Sequence, residues 1–423
     1  MILTTILSLV LPASLENQAH AFGKGRWRPV PAPSPTNTPS QTPTVPASPS
    51  PSPSPSPSPS VSPSPSPSPS PTVKRVGDIS VCSFNIQFLG SSGTRDNRAL
   101  ADLMKEEGCE IVVIQEMVAA PHENYLSLNL LEIFQNFPST PKNIPEGSIG
   151  YNFKAYPFTD PATAEMIRPV SKTTAFFDAM KAAGFSDFVL SPDNTGPTQN
   201  RVNSSANEWW LTFFLPEKVE IARDLPYGFL SPQLVANPDF DRVPYAVPFR
   251  TKDKAFDFVL ISVHFRPGSS QKARRKQELG AIQNWISNPA FTEHDFIVLG
   301  DMNIENKKEL DALPFFSSLN SDCVGTNTNP KPTSVRPYDH VMVDRRHTTE
   351  AEVPTAGNFR VINLIDQLSD DWSARHPGEA YPGGVRDPSG QVTGYVHDAF
   401  RLEYSDHHPV QFKITVPEKD DDQ

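Results

Sequence analysis

Cysteine is scarce. The 423 residues contain three, Cys82, Cys109 and Cys323. At those spacings they make no zinc-binding pattern and no dense disulfide framework. Cys82 and Cys109 each stand at the start of a predicted core strand, where buried free thiols are the expected state and a disulfide is the alternative. Long apolar runs are missing too. The candidate at residues 2–11 is too short to span a bilayer comfortably, so no transmembrane segment is expected and the part that carries chemistry should be soluble. Positive charge is in deficit, with 37 Lys and Arg against 48 Asp and Glu and a formal net charge of −11. Bulk charge therefore excludes itself as the means of holding a polyanion. Any such substrate has to be caught by local Arg, Lys and metal. No internal repeat is evident.

Proline, by contrast, is abundant, with 46 residues, and much of it is concentrated. Residues 31–71 are mostly Pro, Ser and Thr, and residues 49–60 alternate Pro with Ser. Such a stretch has few donors and almost nothing to bury, so residues 22–75 read as an extended, polyproline-II-rich, disordered linker. Ahead of it, the apolar run at residues 2–11 and the small-x-small triplet Ala19-His20-Ala21 read as an export signal over residues 1–21. No Lys or Arg precedes the apolar run, which leaves the true start codon open. A Pro-Ser spacer after such a signal suits a secreted, cell-surface or periplasmic enzyme. Residues 76–416 remain for one catalytic domain. Within it residues 122–174, rich in Pro, Asn and aromatics without a clear period, read as a loop-rich insertion. Residues 417–423 read as a solvated acidic tail.

The domain mixes two periodicities. Ile79, Val81, Phe84 and Ile86 alternate as a strand. Residues 98–107 read as a helix stopped at Gly108, and Ile111 to Ile114 are a short apolar strand ending in Gln115-Glu116. Residues 176–183 and 271–287 read as helices, the second with Leu279, Ile282 and Ile286 on one side. Strands are expected at 188–190, 208–214, 256–265, 296–299, 338–343 and 410–414. The fold class is α+β with a large β component.

Polar groups that a core would not want recur at the ends of these strands: Asn85, Glu116, His264, Asp301, Asn303, Asp339, Asp406 and His407. Singly, each is a turn cap or a satisfied structural histidine. Together, Asp, Asn and His at many separate strand ends suit a hard divalent cation and proton transfer at a phosphate.

The blocks in chain order resemble the endonuclease/exonuclease/phosphatase superfamily, most closely its deoxyribonuclease I group. They are Ser83-Phe84-Asn85-Ile86, Ile114-Gln115-Glu116, Asn200-Arg201-Val202-Asn203, Asn207-Glu208-Trp209-Trp210-Leu211 and the Arg242 segment. Ser262-Val263-His264, Leu299-Gly300-Asp301-Met302-Asn303, Tyr338-Asp339-His340-Val341 and Ser405-Asp406-His407-His408-Pro409-Val410 complete the series. The resemblance implies a four-layered α/β sandwich, two packed sheets flanked by helices. It implies a catalytic ion, Mg²⁺ or alternatively Mn²⁺ or Ca²⁺, held by Glu116 with Asn85, Asp301 and Asp406. Asn85 and Asn303 hold phosphate oxygens, Glu208 orients His264, and Asp339 orients His407. One imidazole then acts as base and the other as acid, and Arg201 and Arg242 contact the substrate.

The chemistry of phosphodiester hydrolysis agrees. A hard cation screens the phosphate charge, and an alkoxide leaves well only when protonated. A carboxylate on the far ring nitrogen fixes a histidine tautomer. The expected function is therefore a secreted, monomeric, metal-dependent nuclease cutting DNA endonucleolytically, with RNA, and single against double strands, left open. The rivals are a sphingomyelinase-like phospholipid phosphodiesterase, another phosphatase of the superfamily, and a non-catalytic surface-binding module on a Pro-Ser stalk. The Trp209-Trp210 pair reads as core packing for at least one ring. The basic cluster Lys272, Arg274, Arg275 and Lys276 reads either as a phosphate contact or as a solvated helix face.

Overall fold

The computed structural model describes residues 77–91, 93–119, 172–192, 194–195, 208–232, 237–313, 316–329, 331–344, 348, 358–382, 396–418 and 420. The export signal, the Pro-Ser linker, nearly all of the insertion and Arg201 lie outside the described residues.

In chain order the elements are β1 (Ile79–Leu89), α1 (Asn97–Glu106), β2 (Ile111–Met117), α2 (Lys172–Ala183), β3 (Asp187–Leu190), β4 (Trp209–Phe214), β5 (Val219–Ile221), β6 (Gly228–Phe229), β7 (Tyr245–Thr251), β8 (Asp257–His264) and α3 (Lys272–Ile286). Then follow β9 (Phe296–Asp301), α4 (Lys307–Leu310), β10 (Ser317–Ser318), β11 (Asp339–Val343), β12 (Phe359–Val361), α5 (Leu364–Gln367), α6 (Ser369–Arg375), α7 (His397–Glu403) and β13 (Val410–Ile414). One sheet runs β12-β13-β1-β2-β4-β3, and the other runs β10-β11-β9-β8-β7-β5 with β6 beside β7. Both are mixed, because β1 is parallel to β2 and β8 is parallel to β9 while their other pairings are antiparallel.

The period-two pattern sorts each strand between two cores. Ile79 and Val81 of β1, Ile111 and Val113 of β2, Leu260 of β8 and Leu299 of β9 meet between the sheets. On the outer face of the first sheet, Phe84, Val112 and Ile114 pack under α1, α2 and the α5–α7 region through Leu100, Met104, Phe177, Trp372 and Phe400. Outside the second sheet, Val259, Ile261 and Val298 pack under Leu279, Ile282 and Ile286 of α3. Each such side chain contributes roughly 1.5–3 kcal/mol. The result is the expected four-layered sandwich. Among the described residues no helix is long and apolar enough to cross a membrane.

Three expectations are corrected, and the core packing expected for at least one tryptophan holds for both. Cys82 and Cys109 are joined as a disulfide, with Cα atoms 5.7 Å apart. Cys82 lies inside β1 and Cys109 just before the parallel neighbour β2, so the pairing follows from sheet register. Trp209 and Trp210 are both buried, on opposite faces of the first sheet, so neither is free to stack on a substrate. The basic cluster is partly interior: Arg275 is fully buried, bonded to Glu309 Oε1 at 2.7 Å and to the carbonyls of Arg266 and Gly268. Arg274 sits against Asp241 and Glu278. The acidic tail is not wholly solvated, since Asp420 is buried and accepts the Asp257 N–H at 3.0 Å, at the start of β8.

Candidate active site

Register across β8, β9 and β11 sets the first row of the site. His264 stands opposite Asp301, and Asp301 stands opposite Asp339, so three adjacent strands end in three polar side chains. Gly300 makes this approach possible. It has a φ of +139°, and a Cβ there would lie 2.1 Å from the Val263 carbonyl oxygen. Only glycine fits.

The first sheet supplies the second row. Asn85 of β1 donates its amide Nδ2 to Glu116 Oε1 at 3.1 Å and, across the sandwich, to Asp301 Oδ2 at 3.0 Å. β1 and β2 both break register there, β1 between Asn85 and Leu89 and β2 between Ile114 and Met117. Bulges of this kind re-aim side chains. Among the described residues five non-glycines have positive φ, and three of them, Phe88, Glu116 and Asn303, lie here. Backbone held in that region marks a site whose surroundings over-determine it.

Each histidine has its carboxylate. His264 Nδ1 donates to Glu208 Oε2 at 2.9 Å, and His407 Nδ1 donates to Asp339 Oδ2 at 2.7 Å. Their Nε2 atoms both face Asp301 Oδ2, at 3.4 Å from His264 and 3.6 Å from His407. Asp301 Oδ1 accepts the Asn303 N–H at 2.8 Å, and Asn303 Nδ2 donates to the Phe265 carbonyl at 2.9 Å. Burial alone would lower both imidazole pKa values. Asp339 and Asp301 nevertheless hold His407 well above its ordinary value. For His264, burial and Arg242 both lower the value, but Glu208 and Asp301 together outweigh them and it is again raised. Burial pushes Asp301 up to about 6, against the pull of the two histidines. Glu208 would also rise by burial, but Arg242 and His264 hold it below the usual carboxylate range.

Two expected residues are placed differently. Arg242 is engaged by the protein itself. Its Nε lies 2.7 Å from Glu208 Oε1, so it braces the Glu208–His264 pair from behind. Asp406 is outside the ligand groups whose atoms all lie close to one another, Gln87 Nε2 donates to its Oδ2 at 2.8 Å, and its Oδ1 is left as a buried acceptor without a hydrogen-bond partner.

Several residues escaped the sequence reading. Ser405 Oγ donates to the Asn85 carbonyl at 2.7 Å and accepts the N–H groups of Gln87 and His407. Thr326 accepts the Asp339 N–H on its hydroxyl at 3.0 Å and the His408 N–H on its carbonyl at 2.6 Å. Arg95 is buried beneath the site, bonded to the carbonyls of Tyr404 and Gln87. Ser405 sits in the Ser-Asp-His run, but Thr326 and Arg95 carry no sequence signal.

Ligand atoms of Glu116, His264 and Asp301 lie close enough together to hold a metal ion, as do those of Asp301, Asp339 and His407. The donors are mainly oxygen, with no sulfur. Asn85 Oδ1, Asp339 Oδ1 and Asp406 Oδ1 are buried acceptors without a hydrogen-bond partner. Buried acceptors left unmatched are what a hard cation satisfies, so the residues fit a divalent ion.

A model of the Endonuclease/Exonuclease/phosphatase family matches residues 82–407. The chain belongs to the endonuclease/exonuclease/phosphatase family. Enzymes of this family hydrolyse phosphodiesters and other phosphate esters. Solved structures similar to this member include humanized D. rerio TDP2 carrying 14 mutations, 11% identical, covering 80% of this chain and 99% of that one, with a TM-score of 0.41. The human Nocturnin catalytic domain with bound sulfate anion is 11% identical over 81% of this chain and 95% of that one, at 0.40. A mannosyl-6-phosphatase of Bacteroides thetaiotaomicron VPI-5482 is 15% identical over 79% and 98%, at 0.38. No curated protein matches the chain.

Proposed function

We propose that this family member is an exported, Mg²⁺-dependent nuclease that hydrolyses phosphodiester bonds of DNA endonucleolytically. The observation that carries the hydrolytic reading is the placement of Asp301 Oδ2 between the Nε2 atoms of His264 and His407, each ring fixed at Nδ1 by its own carboxylate. A phosphate in that space meets two imidazoles at once. One Nε2 takes a proton from the attacking water, and the other gives a proton to the leaving oxygen. Glu208 and Asp339 fix the tautomers, and Arg242 keeps Glu208 ionised. Glu116, Asp301 and Asn85 would hold a divalent ion, which when bound would supply Lewis-acid charge to the phosphate. The DNA reading rests on the deoxyribonuclease-like residues around Arg201. Export is supported by the apolar start and the Pro-Ser spacer, and by the Cys82–Cys109 disulfide, which suits an oxidising compartment.

The test is nicking of supercoiled plasmid with Mg²⁺ and with excess chelator, beside sphingomyelin and a sugar phosphate. Mg²⁺-dependent nicking is expected, with Glu116→Gln folded but slower by on the order of a hundredfold or more. Full cleavage in chelator refutes the metal role. Turnover of the lipid or the sugar phosphate without nicking refutes the nuclease reading.

A further inference from the structure

β1 buries ten of its eleven residues and exposes one, Phe88. The ring is 49% exposed, the only aromatic among the exposed large hydrophobics of the described residues. It departs from the strand's own pattern, because Phe84 and Ile86, which share its parity along β1, are fully buried in the outer core. The bulge between Asn85 and Leu89 turns it out, at a φ of +49° that a bulky side chain rarely adopts. Three hydrogen bonds hold it there. Phe88 N–H donates to Glu116 Oε2 at 3.0 Å, and its carbonyl accepts Ser91 N–H at 2.9 Å and Ser91 Oγ–H at 2.8 Å. The carboxylate that fits the metal therefore also fixes the backbone of the exposed ring. Next to it, Arg401 Nη1 reaches Gln87 Oε1 at 3.3 Å, placing a part-exposed guanidinium on the same rim.

We propose that Phe88 is a stacking platform for a nucleobase beside the scissile phosphate, and that this site prefers nucleic acid with unpaired bases. This rests on the nuclease reading above and adds the substrate class to it. A flat apolar ring whose own backbone N–H is bonded to the metal carboxylate, with the Arg401 guanidinium on the adjacent Gln87, matches a base flanking a phosphate. A base can lie on it only when it is free of its own stack, which single strands and opened ends provide.

The test compares wild type, Phe88→Ala and Phe88→Trp on a labelled single-stranded oligonucleotide, on its duplex, and on a series with one abasic residue at each position in turn. Thermal unfolding confirms that the exposed substitutions keep the fold. Phe88→Ala is expected to raise KM on the single strand roughly tenfold, more than it changes kcat, and Phe88→Trp to restore it. An abasic residue beside the cleaved bond should raise KM for wild type and leave Phe88→Ala unchanged. Wild type that cleaves while Phe88→Ala keeps its KM, or an abasic penalty equal in both, overturns this proposal alone. Wild type that cleaves no nucleic acid overturns the nuclease reading and this with it. A Phe88→Ala defect confined to sphingomyelin vesicles assigns the ring to a lipid surface and overturns it as well.

Discussion

His264 ends β8 of the second sheet, His407 lies just before β13 of the first, and the two rings meet over one oxygen, Asp301 Oδ2. Because both act on one transition state, their losses should not add. His264→Ala and His407→Ala are each expected to lower turnover by roughly a hundred- to ten-thousandfold, and the double variant to be little worse than the worse single. Additive losses in steady-state kinetics would mean that the rings serve separate steps. The two His–carboxylate pairs were legible only through the family resemblance, because their partners are 56 and 68 residues apart in the chain. Arg242 was legible as important but not in its role. Whether an Arg faces a carboxylate or a substrate depends on where Glu208 folds, 34 residues earlier in the chain. Thr326 was invisible, because it acts through one hydroxyl and its own backbone, and a threonine in a loop has no pattern.

Most of the longer strands and the helices α1 and α3 were readable from apolar spacing alone, but β7, the short strands β5, β6, β10 and β12 and the helices α4–α7 were not. Leu279, Ile282 and Ile286 do line the buried side of α3. Bulges were not readable, since one extra residue in β1 or β2 leaves the apolar composition unchanged while it reverses which side chain faces out. The Cys82–Cys109 link was missed for a related reason, because it needs the parallel register of β1 and β2, which α1 intervenes to create. The interior Arg275 was missed because its partner Glu309 is 34 residues away and the nearby carbonyls of Arg266 and Gly268 face it only once the loop before α3 is folded. At this scale Gly300 gives the sharpest expectation. Gly300→Ala must push β9 away from Val263 O. It should cost about 2 kcal/mol or more in denaturant unfolding. It should also lower kcat/KM by on the order of a hundredfold through the shifted Asp301. An active, fully stable Gly300→Ala would show that β9 can give way without disturbing its end.

Across the whole molecule, buried neutral histidines set an acid limit. His340 is fully buried with Nδ1 against Ser318 Oγ at 2.7 Å, and burial lowers its pKa to about 4. The ring ionises more readily in the unfolded chain, near its ordinary 6.5, so its contribution is complete above that pH and is lost as pH falls toward 4. The stability advantage of wild type over His340→Gln should therefore shrink across that window by on the order of 3 kcal/mol, read from urea midpoints. A constant difference from pH 8 to 4 would mean that the ring is not neutral in the folded state.

The hydrogen bond from Asn85 of β1 to Asp301 of β9 ties a strand of one sheet directly to a strand of the other at the site itself. Turnover is thus a vernier on the gap between the sheets. A methyl group added or removed among Val81, Val113, Leu260 and Leu299 alters that gap by fractions of an ångström, too little to unfold the protein but enough to misalign a phosphate. Catalysis is then the first property to register wear in the core, and the interior of this molecule answers to function as directly as its rim does.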